Sequence, residues 1–179
     1  MKLFIEEKEK KLILEQYLGK APEKMEYPFD FSKQFQSGLE DSVNLIKKHE
    51  GFCDGIKKCP PHTIGYGTRT DLHPELQGKK IDDVVATAYV KKDLRGQVLP
   101  SIKNFVKIPL TNNQSAALSS LIYNIGPERF RGSELLKDLN SKNWPGVKKN
   151  WSEFVLSDGK VMKGLKKRRE DEIALFFSK

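Results

Sequence analysis

Long apolar runs are missing from this chain of 179 residues. No stretch approaches the ~18 consecutive apolar residues of a membrane-spanning helix, so we expect no membrane span. The first twenty residues, MKLFIEEKEKKLILEQYLGK, are interrupted by charges where an export signal needs a continuous apolar segment. The sequence therefore predicts a protein that is made in the cytoplasm without an export signal of the usual kind.

Cysteine is also scarce, because Cys53 and Cys59 are the only two. Two thiols are too few for a disulfide framework or for a zinc site built from cysteine alone. A reducing cytosol favours free thiols, although the spacing of the pair permits a short-loop disulfide. Both alternatives stay open at this point.

Low-complexity tracts are absent, and hydrophobic residues (37%) and charged residues (31%) occur in proportions typical of a folded globular protein. The length suits one domain with a core of its own. Lysine and arginine outnumber aspartate and glutamate by 32 to 24, which gives a net charge of +8. This balance favours an anionic partner: nucleic acid, a membrane surface or an acidic polymer such as bacterial cell wall.

The chain divides into a short N-terminal segment and one domain. Residues 1–20 predict a charged amphipathic helix, and residues 21–34, which include two prolines, predict an extended connector. We therefore assign residues 1–35 to a segment of unknown role and residues 36–179 to a single domain.

The domain begins with a helix and a small β-element. The apolar periodicity predicts the helix over residues 36–50. Glycine, proline and aspartate are frequent in residues 52–80, where the strand-like run is residues 62–68. This composition predicts a small, irregular β-element.

Everything after Ile81 is predicted to be helical. A first helix covers residues 82–99, and Pro100 is expected to stop it. Thr111 and Gln114 form a capping box at the start of the next helix. Further helices are predicted to begin near Ser133, Pro145 and Gly164. The fold class is therefore α+β, mostly α.

Glu50 continues the apolar stripe of Leu39, Val43 and Ile46 by one more turn. We therefore expect its carboxyl to point toward the packed side of the helix, beside the β-element. Burial raises the pKa of a carboxyl by disfavouring the charged form, and a general acid needs a raised pKa to hold its proton near neutral pH. The alternative is a solvated glutamate at the end of a helix, which is the commoner situation for an arbitrary glutamate.

Four segments in order carry a family resemblance. They are LIKKHEGF around Glu50, TIGYGT shortly after Cys59, IPLTNNQSAALSSLIYNIG, and GLKKRREDEIALF near the end. Over about residues 38–177 the sequence resembles the phage-type lysozymes, the muramidases and endolysins of glycoside hydrolase family 24. The resemblance implies a lysozyme-like two-lobed domain, with a small β-element in one lobe, helices in the other and a cleft between them.

Residue by residue, the resemblance implies three catalytic positions. Glu50 matches the general acid, and Thr63 matches the threonine that helps to place the attacking water. Cys59 matches the second site, in the form of the family that has cysteine instead of aspartate, and it needs neighbours such as His62 to lower its pKa. Only three residues separate Cys59 from Thr63, where the family pattern has five, so we expect a shorter turn. Asp54 is the nearest carboxylate that could replace Cys59.

Arg168 and Arg169 are the supporting candidates. Arg169 falls at the centre of an apolar helix face, so its charge needs a partner. The resemblance places an arginine of this helix against the acid, which makes Glu50 one candidate partner. Local pairing of Arg169 or Arg168 with Glu172 is the other candidate.

The function implied by the resemblance is hydrolysis of the β-1,4 bond between N-acetylmuramic acid and N-acetylglucosamine in peptidoglycan. It implies a monomer without metal or organic cofactor, which acts on the glycan strands of the cell wall after release. A catalytically impaired module that binds peptidoglycan or serves a structural role is the first alternative. A DNA-associated protein is the second, and it is disfavoured because residues 170–172 place three carboxylates directly after the basic run of residues 160–169.

Overall fold

The computed structural model describes residues 8, 10–12, 31–55, 59–157 and 159–178, with the backbone alone for residues 31–37. The helix predicted over residues 1–20 lies outside the described residues except for 8 and 10–12, which are helical. The predicted connector lies outside them up to residue 30. For residues 31–34 the connector prediction is wrong, because the helix predicted from residue 36 already begins at Phe31. Both prolines of this stretch precede Phe31, so neither interrupts the helix. Within the described part of the chain, no helix combines the length and apolar character needed to cross a membrane.

The described residues form two compact units. Residues 46–93, with the described residues among 8–12, make the first unit. Residues 31–45 and 94–178 make the second. Helix α1 (Phe31–Glu50) contributes to both, since the division falls within it.

The first unit contains the small β-element. Its elements are the last turn of α1, strands β1 (Thr63–Ile64) and β2 (Thr68–Arg69), a 3-10 turn (Pro74–Leu76) and helix α2 (Asp83–Asp93). The two strands are antiparallel, with Ile64 opposite Thr68. Ile64, Tyr66, Val85 and Tyr89 are buried, so the core of this unit lies between the hairpin and α2.

The second unit is helical. Its elements are a π-helical turn (Leu94–Val98), α3 (Leu99–Phe105), α4 (Asn112–Ile125), α5 (Pro127–Arg131), α6 (Glu134–Asn140), α7 (Trp144–Ser152), β3 (Leu156–Ser157), β4 (Lys160–Val161) and α8 (Lys163–Phe176). Helix α4 is buried along residues 115–122 and packs on α8. Fully buried Phe130, Leu139 and Trp151 complete the core from the shorter helices.

The prediction of a mostly helical α+β chain is confirmed. The capping box is confirmed as well: Gln114 N donates to Thr111 Oγ1 at 3.2 Å, and Thr111 N donates to Gln114 Oε1 at 2.9 Å. Helix α1 ends at Glu50 as predicted, and Gly51 follows it in the left-handed region at φ +67.

Two predictions about the second half are wrong. Pro100 does not stop its helix, because α2 continues through the π-helical turn into α3, where Pro100 occupies the first turn. A first-turn proline has no N–H, and none is needed at that position. The chain after Ile81 is not all helical either, since β3 and β4 form an exposed hairpin with Leu156 opposite Val161.

Candidate active site

Glu50 ends α1 with a half-buried side chain. Its carboxylate packs against the turn of the β1–β2 hairpin. A β-carbon at Gly67 would lie only 2.9 Å from Glu50 Oε2 and 3.0 Å from the carboxyl carbon. Gly67 also has φ +79, a conformation that side chains disfavour. Glycine at position 67 therefore avoids a disfavoured backbone conformation and leaves room for the Glu50 carboxylate in the position that it occupies.

Thr63 opens β1 after a tight turn. Its backbone N–H and its hydroxyl both donate to the Pro60 carbonyl oxygen, at 3.2 Å and 2.9 Å. The expected shorter connection between Cys59 and Thr63 is this turn, in which His62 has φ +57. Because the hydroxyl donates its proton to Pro60, its oxygen keeps lone pairs that can accept a hydrogen bond from water.

Cys59 is joined to Cys53 in a disulfide, with their Cα atoms 5.8 Å apart. The expectation that Cys59 supplies a thiolate is therefore wrong for this disulfide-bonded form, because a disulfide sulfur has no proton to lose. Of the two alternatives that the sequence leaves open, the structure contains the short-loop disulfide. The bridge also fastens the loop to the hairpin, because Cys53 and Gly65 exchange two backbone hydrogen bonds, of 2.9 Å and 2.7 Å.

Asp54 lies inside the loop that the disulfide closes, directly after Cys53. Its side chain is half-buried, and its backbone carbonyl accepts a hydrogen bond of 3.1 Å from Ile81 N. With Cys59 in a disulfide, Asp54 is the nearest carboxylate in sequence that follows Glu50.

Arg168 and Arg169 are almost completely buried in the second unit, where both contact Glu172. Arg168 Nε donates to Glu172 Oε1 at 3.1 Å, and Arg169 Nη2 donates to the same oxygen at 3.1 Å. The local pairing expected for either arginine is therefore present for both. Arg169 Nη2 also donates to Asn124 Oδ1 at 3.1 Å. A pairing of Arg169 with Glu50 stays a prediction.

Glu172 is the centre of a buried network, of which the sequence indicated only the pairing with the arginines. Besides the two arginines, Ser120 Oγ donates to its Oε1 at 2.7 Å, and Trp151 Nε1 donates to its Oε2 at 3.0 Å. The network joins α4, α7 and α8, and the carboxylate is fully buried. A buried charge is stable only when paired and hydrogen-bonded, and these four donors meet that requirement.

Histidine, cysteine, aspartate and glutamate are the side chains that most often bind metal ions in proteins. Within residues 31–55, 59–157 and 159–178, no group of three or more is arranged to hold a metal ion.

Most of the chain is similar to phage lysozymes. The model of the phage lysozyme family matches residues 47–172. The endolysin of Acyrthosiphon pisum secondary endosymbiont phage 1 is 35% identical over 145 residues, which are 78% of this chain and 97% of that protein. The endolysin of Bacillus phage B103 is 33% identical over 141 residues, 76% of this chain, and the match spans 52% of its length.

A solved structure gives the same likeness. The muramidase domain of SpmX from Asticaccaulis excentricus superimposes with a TM-score of 0.67 at 29% identity, covering 77% of this chain and 95% of that one. The span matched by the family model contains Glu50, Thr63 and both arginines of α8.

Proposed function

Since this chain belongs to the phage lysozyme family, we propose that Glu50 is the general acid with which it cleaves the β-1,4 bond between N-acetylmuramic acid and N-acetylglucosamine. The chain is a lysozyme, a glycoside hydrolase that degrades peptidoglycan and lyses bacterial cell walls.

The packing of the Glu50 carboxylate on Gly67 is the observation that carries the proposal. A general acid must be held within hydrogen-bond reach of the oxygen that it protonates. The helix end fixes the backbone of Glu50, and the hairpin limits where its carboxyl group can go. A solvated glutamate at a free helix end would have no neighbouring hairpin to limit the position of its carboxyl group.

Thr63 is the residue that we assign to the attacking water. A hydroxyl is too weak a base to remove a proton, but its oxygen can accept a hydrogen bond and so orient the water. The resemblance gives the second position to Cys59, and the disulfide removes the thiolate that this role needs. We therefore propose Asp54 instead of Cys59 for the second position, where its carboxylate assists the water or stabilises the oxocarbenium-like centre.

The glycan strands of peptidoglycan are the proposed partner, bound by a monomer. The net charge of +8 suits the carboxylates that this polymer carries. Synthesis in the cytoplasm and action on the wall after release belong to the same proposal. A nucleic-acid partner would need stacked aromatics or base-reading side chains along the basic helix, and the exposed face of α8 carries lysines without aromatic neighbours between them.

The product of the reaction tests the proposed bond specificity. Purified peptidoglycan is digested with the protein and then reduced with borohydride, which converts each new reducing end to an alcohol. Hydrolysis after N-acetylmuramic acid yields muramitol, and we expect muramitol as the new end group. Glucosaminitol in its place would show that the other glycosidic bond is cleaved, and products with intact glycan strands would show a different hydrolase.

A further inference from the structure

We propose that Tyr66, Asp83 and Lys47 form a positioning cluster that holds the Glu50 carboxyl against the hairpin turn. This inference rests on the proposed role of Glu50 as general acid. None of the three side chains is assigned to contact substrate. They act through helix α1, which carries Glu50, and through the turn of the β1–β2 hairpin, on which its carboxyl packs.

The cluster joins three elements of the first unit. The Tyr66 hydroxyl, from the hairpin turn, donates to Asp83 Oδ1 at the start of α2. Lys47 Nζ, from α1, lies 2.8 Å from Asp83 Oδ1 and donates to Thr87 Oγ1 at 3.1 Å. The ammonium also lies 4.8 Å from the centre of the Tyr66 ring, a cation–π distance.

Two members of the cluster, Lys47 and Tyr66, lie beside the Glu50–Gly67 contact. Lys47 precedes Glu50 by three residues, so the two side chains leave the same side of α1. Tyr66 immediately precedes Gly67, the residue on which the carboxylate packs. Asp83 therefore connects the helix that carries the acid to the turn that confines it.

The charges within the cluster reinforce one another. Hydrogen bonds from Lys47 and then from Tyr66 hold the pKa of Asp83 below its ordinary value, so the carboxylate is ionised at neutral pH. Hydrogen bonds to an ionised acceptor are shorter and stronger than neutral ones. The Tyr66 side chain is buried, which fixes the ring beneath the ammonium.

The same unit contains a second cluster of matching composition. The Tyr89 hydroxyl donates to Glu75 Oε1 at 3.1 Å, Lys92 Nζ donates to the same oxygen at 3.3 Å, and Lys92 lies 5.1 Å from the centre of the Tyr89 ring. None of these three residues belongs to α1 or to the β1–β2 hairpin. The second cluster is therefore a matched control: it has the same chemistry without the connection to Glu50.

The test compares Tyr66→Phe with Tyr89→Phe, each of which removes one hydroxyl and keeps the ring. Turnover is measured on soluble glycan fragments, together with KM and the thermal midpoint. We expect Tyr66→Phe to lower kcat by about 10- to 100-fold, as for a small displacement of a catalytic group, with KM within twofold of wild type. Tyr89→Phe should keep wild-type kcat. Equal kcat for the two variants would overturn the proposal.

Rescue at position 83 separates positioning from general loss of structure. Asp83→Asn keeps the shape of the side chain without its charge, and Asp83→Glu keeps the charge. We expect Asp83→Glu to retain more of kcat than Asp83→Asn at similar thermal midpoints. If kcat falls only in step with the thermal midpoint, whether or not the charge at position 83 is kept, the proposal is overturned.

Glu50→Gln is assayed alongside these variants to distinguish two failures. An inactive Glu50→Gln protein with normal kcat in Tyr66→Phe overturns the positioning cluster and leaves the acid in place. An active Glu50→Gln protein overturns the proposed acid itself.

Discussion

The carboxylate of Glu50 rests on the backbone of Gly67, so closely that a β-carbon there would lie 2.9 Å from Oε2. One residue is the last of a helix, and the other lies in the turn of a two-stranded hairpin. The contact confines the group proposed to protonate the leaving oxygen.

Gly67→Ala should abolish most of the turnover. The new methyl group would displace the Glu50 carboxylate, because the flexible side chain yields more easily than the hairpin. The positive φ should also lower the free energy of unfolding by about 1–2 kcal/mol, because an alanine disfavours this conformation. Wall lysis and urea unfolding measure the two effects separately.

Gly78→Ala is the matched control for that change. Gly78 has φ +70, and a β-carbon there would meet nothing within 4 Å. The two variants should therefore lose similar stability, while Gly78→Ala keeps its turnover. Equal turnover of the two proteins would show that room for the carboxylate does not matter.

The Cys53–Cys59 disulfide should contribute stability rather than a catalytic group. Closing a loop of this length stabilises the fold by about 2 kcal/mol. Cys53→Ser, Cys59→Ser and addition of reductant should each lower the free energy of unfolding by this amount, without adding to one another. The disulfide-bonded protein should lyse walls in the absence of reductant. Loss of lysis in Cys59→Ser alone, with Cys53→Ser active, would return Cys59 to the catalytic site.

Glu172→Gln should destabilise the second unit strongly. The substitution removes the carboxylate that both Arg168 and Arg169 contact in the core. Removing one partner of a buried ion pair costs about 3 to 5 kcal/mol. Glu134→Gln breaks the exposed pair with Lys137 instead and should cost under about 1 kcal/mol. Urea unfolding of the two variants measures the difference, and similar losses would mean that Glu172 does not organise this core.

The sequence predicted the elements that depend on local patterns. Helix α1 follows from its apolar stripe, and the start of α4 follows from the capping pair Thr111 and Gln114, because both signals lie within a few residues of one another. The β3–β4 hairpin was missed because its strands have two residues each, too few for an alternating pattern. The helix that contains Pro100 was missed because a proline is compatible with the first turn of a helix as well as with the end of one.

The site was predictable to the extent that its chemistry is local. Glu50 is indicated by its place on the apolar stripe together with the family resemblance, and Thr63 by the resemblance alone; the place of Glu50 at the helix end is confirmed. The disulfide was the less favoured alternative, since the expected redox environment outweighed the permissive spacing of Cys53 and Cys59. The sequence leaves the partner of Arg169 open, because its spacing permits Glu172 and the family resemblance offers Glu50. The other donors to the Glu172 carboxylate, Ser120 and Trp151, come from distant segments, so local spacing could not predict them.

Lysis of purified cell walls by Glu50→Gln tests the central claim most directly. Glutamine keeps the size and shape of the side chain but has no acidic proton to transfer to the leaving oxygen. The rate of turbidity loss should fall by at least about 100-fold, with an unchanged thermal midpoint, while Glu134→Gln keeps the wild-type rate. A correctly folded Glu50→Gln protein that lyses walls within twofold of the wild-type rate would contradict the account.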